Sequence, residues 1–162
     1  MTVSLRRATV DDVDFLHELM TAEDTAEFLG RVPESRDAVQ AELSRDDSGW
    51  YVIEVDGERA GSAAFTVVSE HNRIAQGGRF AIAPAFRGRG IGLEAARAFQ
   101  RLLLVELDFH RVELQVYGFN ERAIAHAERS GYVREGVKRK AYWKHGAWQD
   151  AVLFSLLREE LD

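Results

Sequence analysis

The sequence predicts an α/β protein with one mixed, mostly antiparallel central sheet of about seven strands, flanked by about four helices. Three observations predict this. Short runs of alternating or β-branched and aromatic residues lie between turn signals, as strands do. Longer stretches repeat apolar residues at intervals of three and four, as helices with one packed face do. The runs follow one another as β, α, α, β, β, β, α, β, α, β, β, so helices and strands must share one sheet and its two faces.

Val3 to Arg7 alternates and reads as a strand. Thr9 caps a helix, with Asp12 three residues on in the capping-box position and Val13, Leu16, Leu19 and Met20 as its apolar face. Residues 21–34 read as irregular or weakly helical, anchored by Phe28 and Leu29. Ser35 is a second cap, and Ala38, Val39 and Leu43 line a helix ending near Arg45. Trp50 to Val55 is a strand, Asp56-Gly57 a hairpin turn, and Arg59 to Val68 the returning strand. His71 to Gly77 reads as a polar connection or strand start. Arg79 to Ala83 is a further strand, which Pro84 ends. A helix follows from Ile91 to about Leu107, then a strand from Arg111 to Tyr117. Asn120 opens a helix that Gly131 stops after Ser130. Tyr132 to Trp143 and Trp148 to Leu157 are two strands joined at His145-Gly146. Strands 80–83 and 111–117 flank a helix, so the crossover rule makes them parallel neighbours.

At 162 residues the whole chain, 1–162, is expected to be one domain with a substantial core. The net charge of −6 and pI near 5.4 argue against nucleic-acid binding, which needs a basic face. There is no cysteine. That excludes disulfides, thiolate metal sites and a cysteine nucleophile, and no metal is expected. The N-terminus lacks the apolar segment of a signal peptide, and no apolar stretch is long enough to span a bilayer. The expectation is a cytoplasmic protein with no membrane partner.

The most informative segment is Arg87-Gly88-Arg89-Gly90-Ile91-Gly92, between a strand and a helix. Glycines let the backbone approach an anion closely. Free N–H groups and the dipole favour negative charge at a helix start, and two arginines add cationic groups. A phosphorylated cofactor is therefore expected. The dinucleotide fingerprint G-x-G-x-x-G fails, because counting from Gly88 its third glycine falls on Leu93. The P-loop fails because no Lys-Ser or Lys-Thr follows. A tight turn without a ligand would spend three glycines at alternate positions for little gain.

The remaining pattern, Arg87-x-x-Gly90-x-Gly92, resembles that of the GNAT N-acetyltransferase superfamily. The preceding Ile82-Ala83-Pro84-Ala85-Phe86 resembles that family's strand and its proline-containing approach. Asn120-Glu121-Arg122-Ala123-Ile124 and Glu128-Arg129-Ser130-Gly131-Tyr132 resemble its second signature. The closing hairpin resembles the branch of ribosomal-protein alanine and polyamine acetyltransferases. The resemblance implies a GNAT-like fold and an enzyme that moves an acetyl group from acetyl-CoA to a primary amine. The acceptor would be a protein N-terminus, a polyamine or another small amine. Attack would be direct, in a ternary complex, since no cysteine can carry the acyl group. Proteins resembling this one are commonly dimers, so a homodimer is an expectation. The alternative is a non-catalytic acyl-CoA-binding or sensor protein of the same fold.

By the resemblance, Arg87, Gly88, Arg89, Gly90, Ile91 and Gly92 hold the pyrophosphate. Ile82 or Ala83 lies nearest the thioester, where a backbone N–H would stabilise the oxyanion, and Asn120 binds the cofactor arm besides capping its helix. The expected catalytic residues are Glu113 as general base, and Ser130 or Tyr132 as donor of a proton to the departing thiolate. Glu23, Asp24 and His71 are further base candidates and His126 a further donor. The donor must be sought because the family's usual tyrosine position is Ala127 here. The aromatics Phe28, Tyr117, Tyr142, Trp143 and Trp148 are candidates for the acceptor cleft.

Overall fold

A computed structural model describes residues 1–161. Strands β1 (Val3–Arg7), β2 (Ser48–Val55), β3 (Glu58–Ser69), β4 (Ile74–Ile82), β5 (Arg111–Tyr117), β6 (Val133–Lys144) and β7 (Ala147–Leu157) form one sheet. Their order is β1-β2-β3-β4-β5-β7-β6. Every neighbouring pair is antiparallel except β4 and β5. Five helices pack on it: α1 (Val13–Thr21), α2 (Glu23–Ala26), α3 (Arg36–Leu43), α4 (Ile91–Arg101) and α5 (Glu121–Arg129).

Local chemistry sets most boundaries. The Ser35 hydroxyl accepts from the Ala38 N–H at 3.1 Å and starts α3. The Asn120 side chain accepts from the Ala123 N–H and starts α5, and Gly131, at φ +97°, follows its end. Both two-residue hairpins take the left-handed conformation at both positions: Asp56 and Gly57 at +51° and +84°, His145 and Gly146 at +55° and +71°. Such turns match the twist of the strands they join.

Residues 21–34, expected to be irregular or weakly helical, contain the short helix α2. Two other expectations change. The long helix stops at Arg101, and Leu102–Glu106 widens into a π-type turn. The strand expected from Arg79 begins at Ile74, in the segment read as a polar connection, because Ile74, Ala75 and Gln76 pair with Arg111, Val112 and Glu113. Those three positions are the whole of the parallel ladder. Residues 80–83 and the end of β5 are therefore not neighbours; the two strands diverge.

The core lies on both faces of the sheet. One cluster packs Ile91 and Phe99 of α4, Leu103 after it and Ala127 of α5 against Val112 and Phe154 of the sheet. The other seats Leu16, Met20 and Val39 against Trp50 and Val52. Asp12 closes the sheet edge beside α1. It is fully buried, accepts two 2.8 Å bonds from Arg6 and one of 2.9 Å from Arg59, and caps the Thr9 N–H at 2.8 Å. These donors hold its carboxyl well below the usual carboxylate range.

Asp12→Asn is expected to cost about 2 kcal/mol. Breaking a buried pair costs ~3–5 kcal/mol, but the two arginines are partly exposed and rehydrate. Because the folded pKa is depressed, the stabilisation is full above the unfolded value near about 4 and is lost as pH falls below it. Denaturant melts at pH 7 and pH 3 check this: the gap between wild type and variant should shrink at the lower pH.

Candidate active site

Where β4 and β5 part, they leave a cleft of about 510 Å³. Gly77, Gly78, Arg79 and Phe80 line it from β4, and Gln115, Val116 and Tyr117 from β5. Asn120 and Ala123 of α5 close one end. Phe28 to Arg31, after α2, and Tyr142 of β6 close the other. A bulge shapes the β4 wall. Opposite Ser62 and Ala64 of β3 stand Ala81 and Gly78, so β4 carries one extra residue, and Arg79 within it adopts φ +53°. An extra residue re-aims the side chains and ends regular pairing on that edge. A Cβ on Gly77 would stand 2.9 Å from the end of the Leu114 side chain, which would have to shift to admit it.

Side chains bridge the fork where the backbone ladder stops. The Gln115 amide donates to the Gln76 side chain at 3.3 Å, and the Tyr142 hydroxyl donates to the Gln115 carbonyl oxygen. Tyr117 stacks on Phe119 at 5.0 Å and meets Tyr142 edge-on at 6.1 Å. Its hydroxyl, beside Gly30, bonds to no described residue. Burial pushes its pKa up.

A second lobe of about 310 Å³ adjoins, sharing Arg31, Gln76, Gly77, Gly78 and Arg79 with the first. Arg79 is fastened on three sides. It donates to the Arg31 carbonyl, pairs with Glu42 at 2.6 Å and lies 5.4 Å over the Trp50 ring. Lys144 holds the α2 side of the cleft, donating 3.0 Å bonds to the carbonyls of Ala26 and Leu29.

The glycine turn stands beyond the C-terminal end of β4. Gly88 and Gly90 have φ of +76° and +75°, and a Cβ at either would meet nothing within 4 Å. Gly90 begins α4, and no side chain caps that helix. The N–H groups of Gly88 to Gly92 donate to no described backbone group. Bare amides above open space at a helix start fit a pyrophosphate. Arg87 packs beneath, donating to the Ile82 carbonyl at 2.9 Å and pairing with Asp24. That bond and the burial-opposing guanidinium keep the Asp24 carboxyl below its ordinary pKa. Between turn and cleft lies His126. Its ring is 5.4 Å from Phe80 and touches the position a Cβ on Gly92 would take. Its Nε2 is buried with no hydrogen-bond partner among the described residues, and burial lowers its pKa.

The structure sets Gly92 of the glycine turn beside His126 and Ile82, while Asn120 lines the cleft at the fork. It separates the three expected catalytic residues from that cleft. Glu113 stands at the root of the fork, in the last parallel pair, and its carboxylate is taken by Arg111 at 2.8 and 3.0 Å. Arg111 also holds Glu135. Ser130 is buried at the far end of α5, its hydroxyl donating to the Ala127 carbonyl at 3.1 Å. Tyr132 is buried in the core cluster beside Gln100, and burial pushes its pKa up. None of the three lines the cleft. Ala83 is corrected as well: its N–H donates to the Ala60 carbonyl at 2.7 Å, so it has no proton to offer a carbonyl in the groove. Sequence reasoning missed Gln76, Gln115, Arg31 and Arg79; only the extra residue at the β4 bulge could have signalled the last. Trp143 and Trp148 pack on each other at 5.1 Å on the exposed hairpin, outside the cleft. Among the described residues no group of three or more His, Asp or Glu is placed to hold a metal ion.

Comparison with known proteins agrees with this geometry. The family described as the acetyltransferase (GNAT) domain matches residues 2–133. An uncharacterized N-acetyltransferase of Bacillus subtilis, YokL, is 27% identical over 145 residues, 90% of this chain and 81% of its own. A putative ribosomal N-acetyltransferase of the same organism, YdaF, is 33% identical over 105 residues, 65% of this chain and 57% of its own. The solved spermidine N-acetyltransferase of Vibrio cholerae, in complex with CoA and spermine, superposes with a TM-score of 0.89. It is 21% identical, over 98% of this chain and 97% of that one.

Proposed function

Since the chain belongs to the GNAT acetyltransferase family and is an acetyltransferase using acetyl-CoA, we propose that the groove from the glycine turn to the β4–β5 fork is its active site. The forked sheet beside an uncapped, glycine-lined helix start is the observation that carries this reading. The co-substrate supplies a thioester: the acceptor nitrogen bonds to the acetyl carbon, the carbon–sulfur bond breaks, the amine gives up a proton and the sulfur gains one.

The residues divide the work by position. The amides of Gly88, Arg89, Gly90, Ile91 and Gly92 hold the pyrophosphate, with Arg87 bracing the turn from Ile82. The unpaired edge of β4 from Gly77 to Ile82 receives the arm as a neighbouring strand would. The Asn120 carbonyl oxygen is occupied by its cap, which leaves its NH₂ to donate to the arm. Tyr117, protonated throughout the neutral range, gives the proton that a tyrosine at Ala127 would give. The reading extends to one domain over 1–162, a cytoplasmic setting, a homodimer, and no nucleic-acid or membrane partner. No described helix is long and apolar enough to cross a membrane.

The test is thiol release from acetyl-CoA with a panel of primary amines, followed by intact mass spectrometry. Release should depend on acceptor, and the chain itself should remain unmodified. Cofactor binding without turnover on any amine would favour the non-catalytic alternative, and a stoichiometric acetyl-protein that chases onto an amine would overturn direct transfer.

A further inference from the structure

The cleft has a charge pattern opposite to that of the whole chain. The net charge is −6, yet no carboxylate lines the main lobe, where Arg31 and Arg79 stand. The adjoining lobe adds Arg45 and a single carboxylate, Glu42. Glu42 is spent on Arg79 at 2.6 Å, and Arg45 is matched by Asp47 at 2.9 Å. Arg31 remains. It lines both lobes, is exposed, and has no ion-pair partner among the described residues. The cleft thus holds one uncompensated cation and no free anion.

We infer that the acceptor carries a carboxylate beside its primary amine, and that Arg31 binds this carboxylate while the amine faces the fork. The inference rests on the acetyltransferase reading of the same cleft. Guanidinium and carboxylate match in a two-pronged, charge-assisted geometry. A polyamine brings at least one further ammonium, which would find no counter-charge here and would be repelled by Arg31.

The lack of a base points the same way. Neither histidine nor free carboxylate lines the main lobe, so the amine must arrive neutral or shed its proton to water. An alkylammonium, with a pKa of about 10.4, is neutral in roughly one molecule in 2,500 at pH 7. A peptide α-amine, at about 8, is neutral in roughly one in ten. A peptide N-terminus with a carboxylate on its first residue satisfies both features, and a free acidic amino acid satisfies the charge feature alone.

The experiment compares matched acceptors on the full-length protein: glutamate and glutamine amide, which carries no carboxylate, peptides beginning Glu-Ala and Gln-Ala, and spermidine. Each is assayed by thiol release and titrated calorimetrically into the protein–CoA complex, which cannot turn over. The carboxylated member of at least one pair should bind and react about tenfold better than its amide. Glutamate responding alone identifies a free amino acid, the peptide responding alone an N-terminus. Arg31→Gln should erase the preference through KM with kcat held, and Arg31→Glu should reverse it, with melting temperatures unchanged. Spermidine outperforming every carboxylated amine, no preference in either pair, or an unaffected Arg31→Gln variant would overturn the inference. A thermal shift with acetyl-CoA reports on the underlying reading separately. If the shift persists while the carboxylate preference is missing, only the inference has failed; if the shift too is missing, the acetyltransferase reading has failed.

Discussion

Gly90→Asp is expected to abolish acetyl-CoA binding while leaving a folded protein. A side chain at this position meets nothing within 4 Å, so there is no clash. The left-handed φ of +75° costs an L-residue about 1 kcal/mol, and aspartate tolerates it better than most. At the start of α4 the new carboxylate also accepts from the first-turn amides, which makes it a good cap. It therefore offsets its own strain and fills the anion site with the protein's own charge. In wild type, acetyl-CoA at about 100 times its Kd should add about 2.7 kcal/mol to the folded state, a rise of several degrees in melting temperature. In the variant that rise should vanish, and Gly90→Ala, with the strain but not the charge, should keep it. A normal response from Gly90→Asp would place the cofactor elsewhere.

Tyr117→Phe is expected to slow the chemical step by about 10²–10⁴-fold, the span a positioned general acid contributes. The change removes one oxygen. The ring keeps its stacking on Phe119 at 5.0 Å, so stability and acetyl-CoA affinity should hold. Burial raises the Tyr117 pKa above its ordinary value near 10, so the group is protonated over the assay range, as a donor to a thiolate must be. The wild-type rate should fall only in strongly alkaline solution, and the Phe variant should lack that limb. Rates near wild type would make solvent the proton source. The same measurement on Tyr132→Phe gives the contrast. Tyr132 lies in the core beside Gln100, so that variant should lose stability and keep its rate.

The parts of this protein set by chemistry within a few residues are legible in the sequence alone. The Ser35 and Asn120 caps, the two left-handed hairpin turns and the glycine-rich helix start each follow from what adjacent residues can do to the backbone. The phosphate end of the groove is one of these, because a helix start and its glycines are contiguous. The reacting end is assembled from segments far apart in the chain. Glu113 and Gln115 sit on the same face of one strand. Nothing local says that Arg111 claims the first while Gln76 and Tyr142 draw the second across the fork. Ser130 and Tyr132 follow a helix signature, but only packing against Gln100 and the sheet decides that they point into the core. The early divergence of β4 from β5 is likewise a matter of register, fixed by the bulge at Arg79 and by which three residues pair. By itself the sequence determined a strand, turn and helix able to grip a pyrophosphate. The tertiary structure decided which side chains line the β4–β5 fork and left Arg31 there without an ion-pair partner among the described residues, because strand order and long-range pairing select those neighbours.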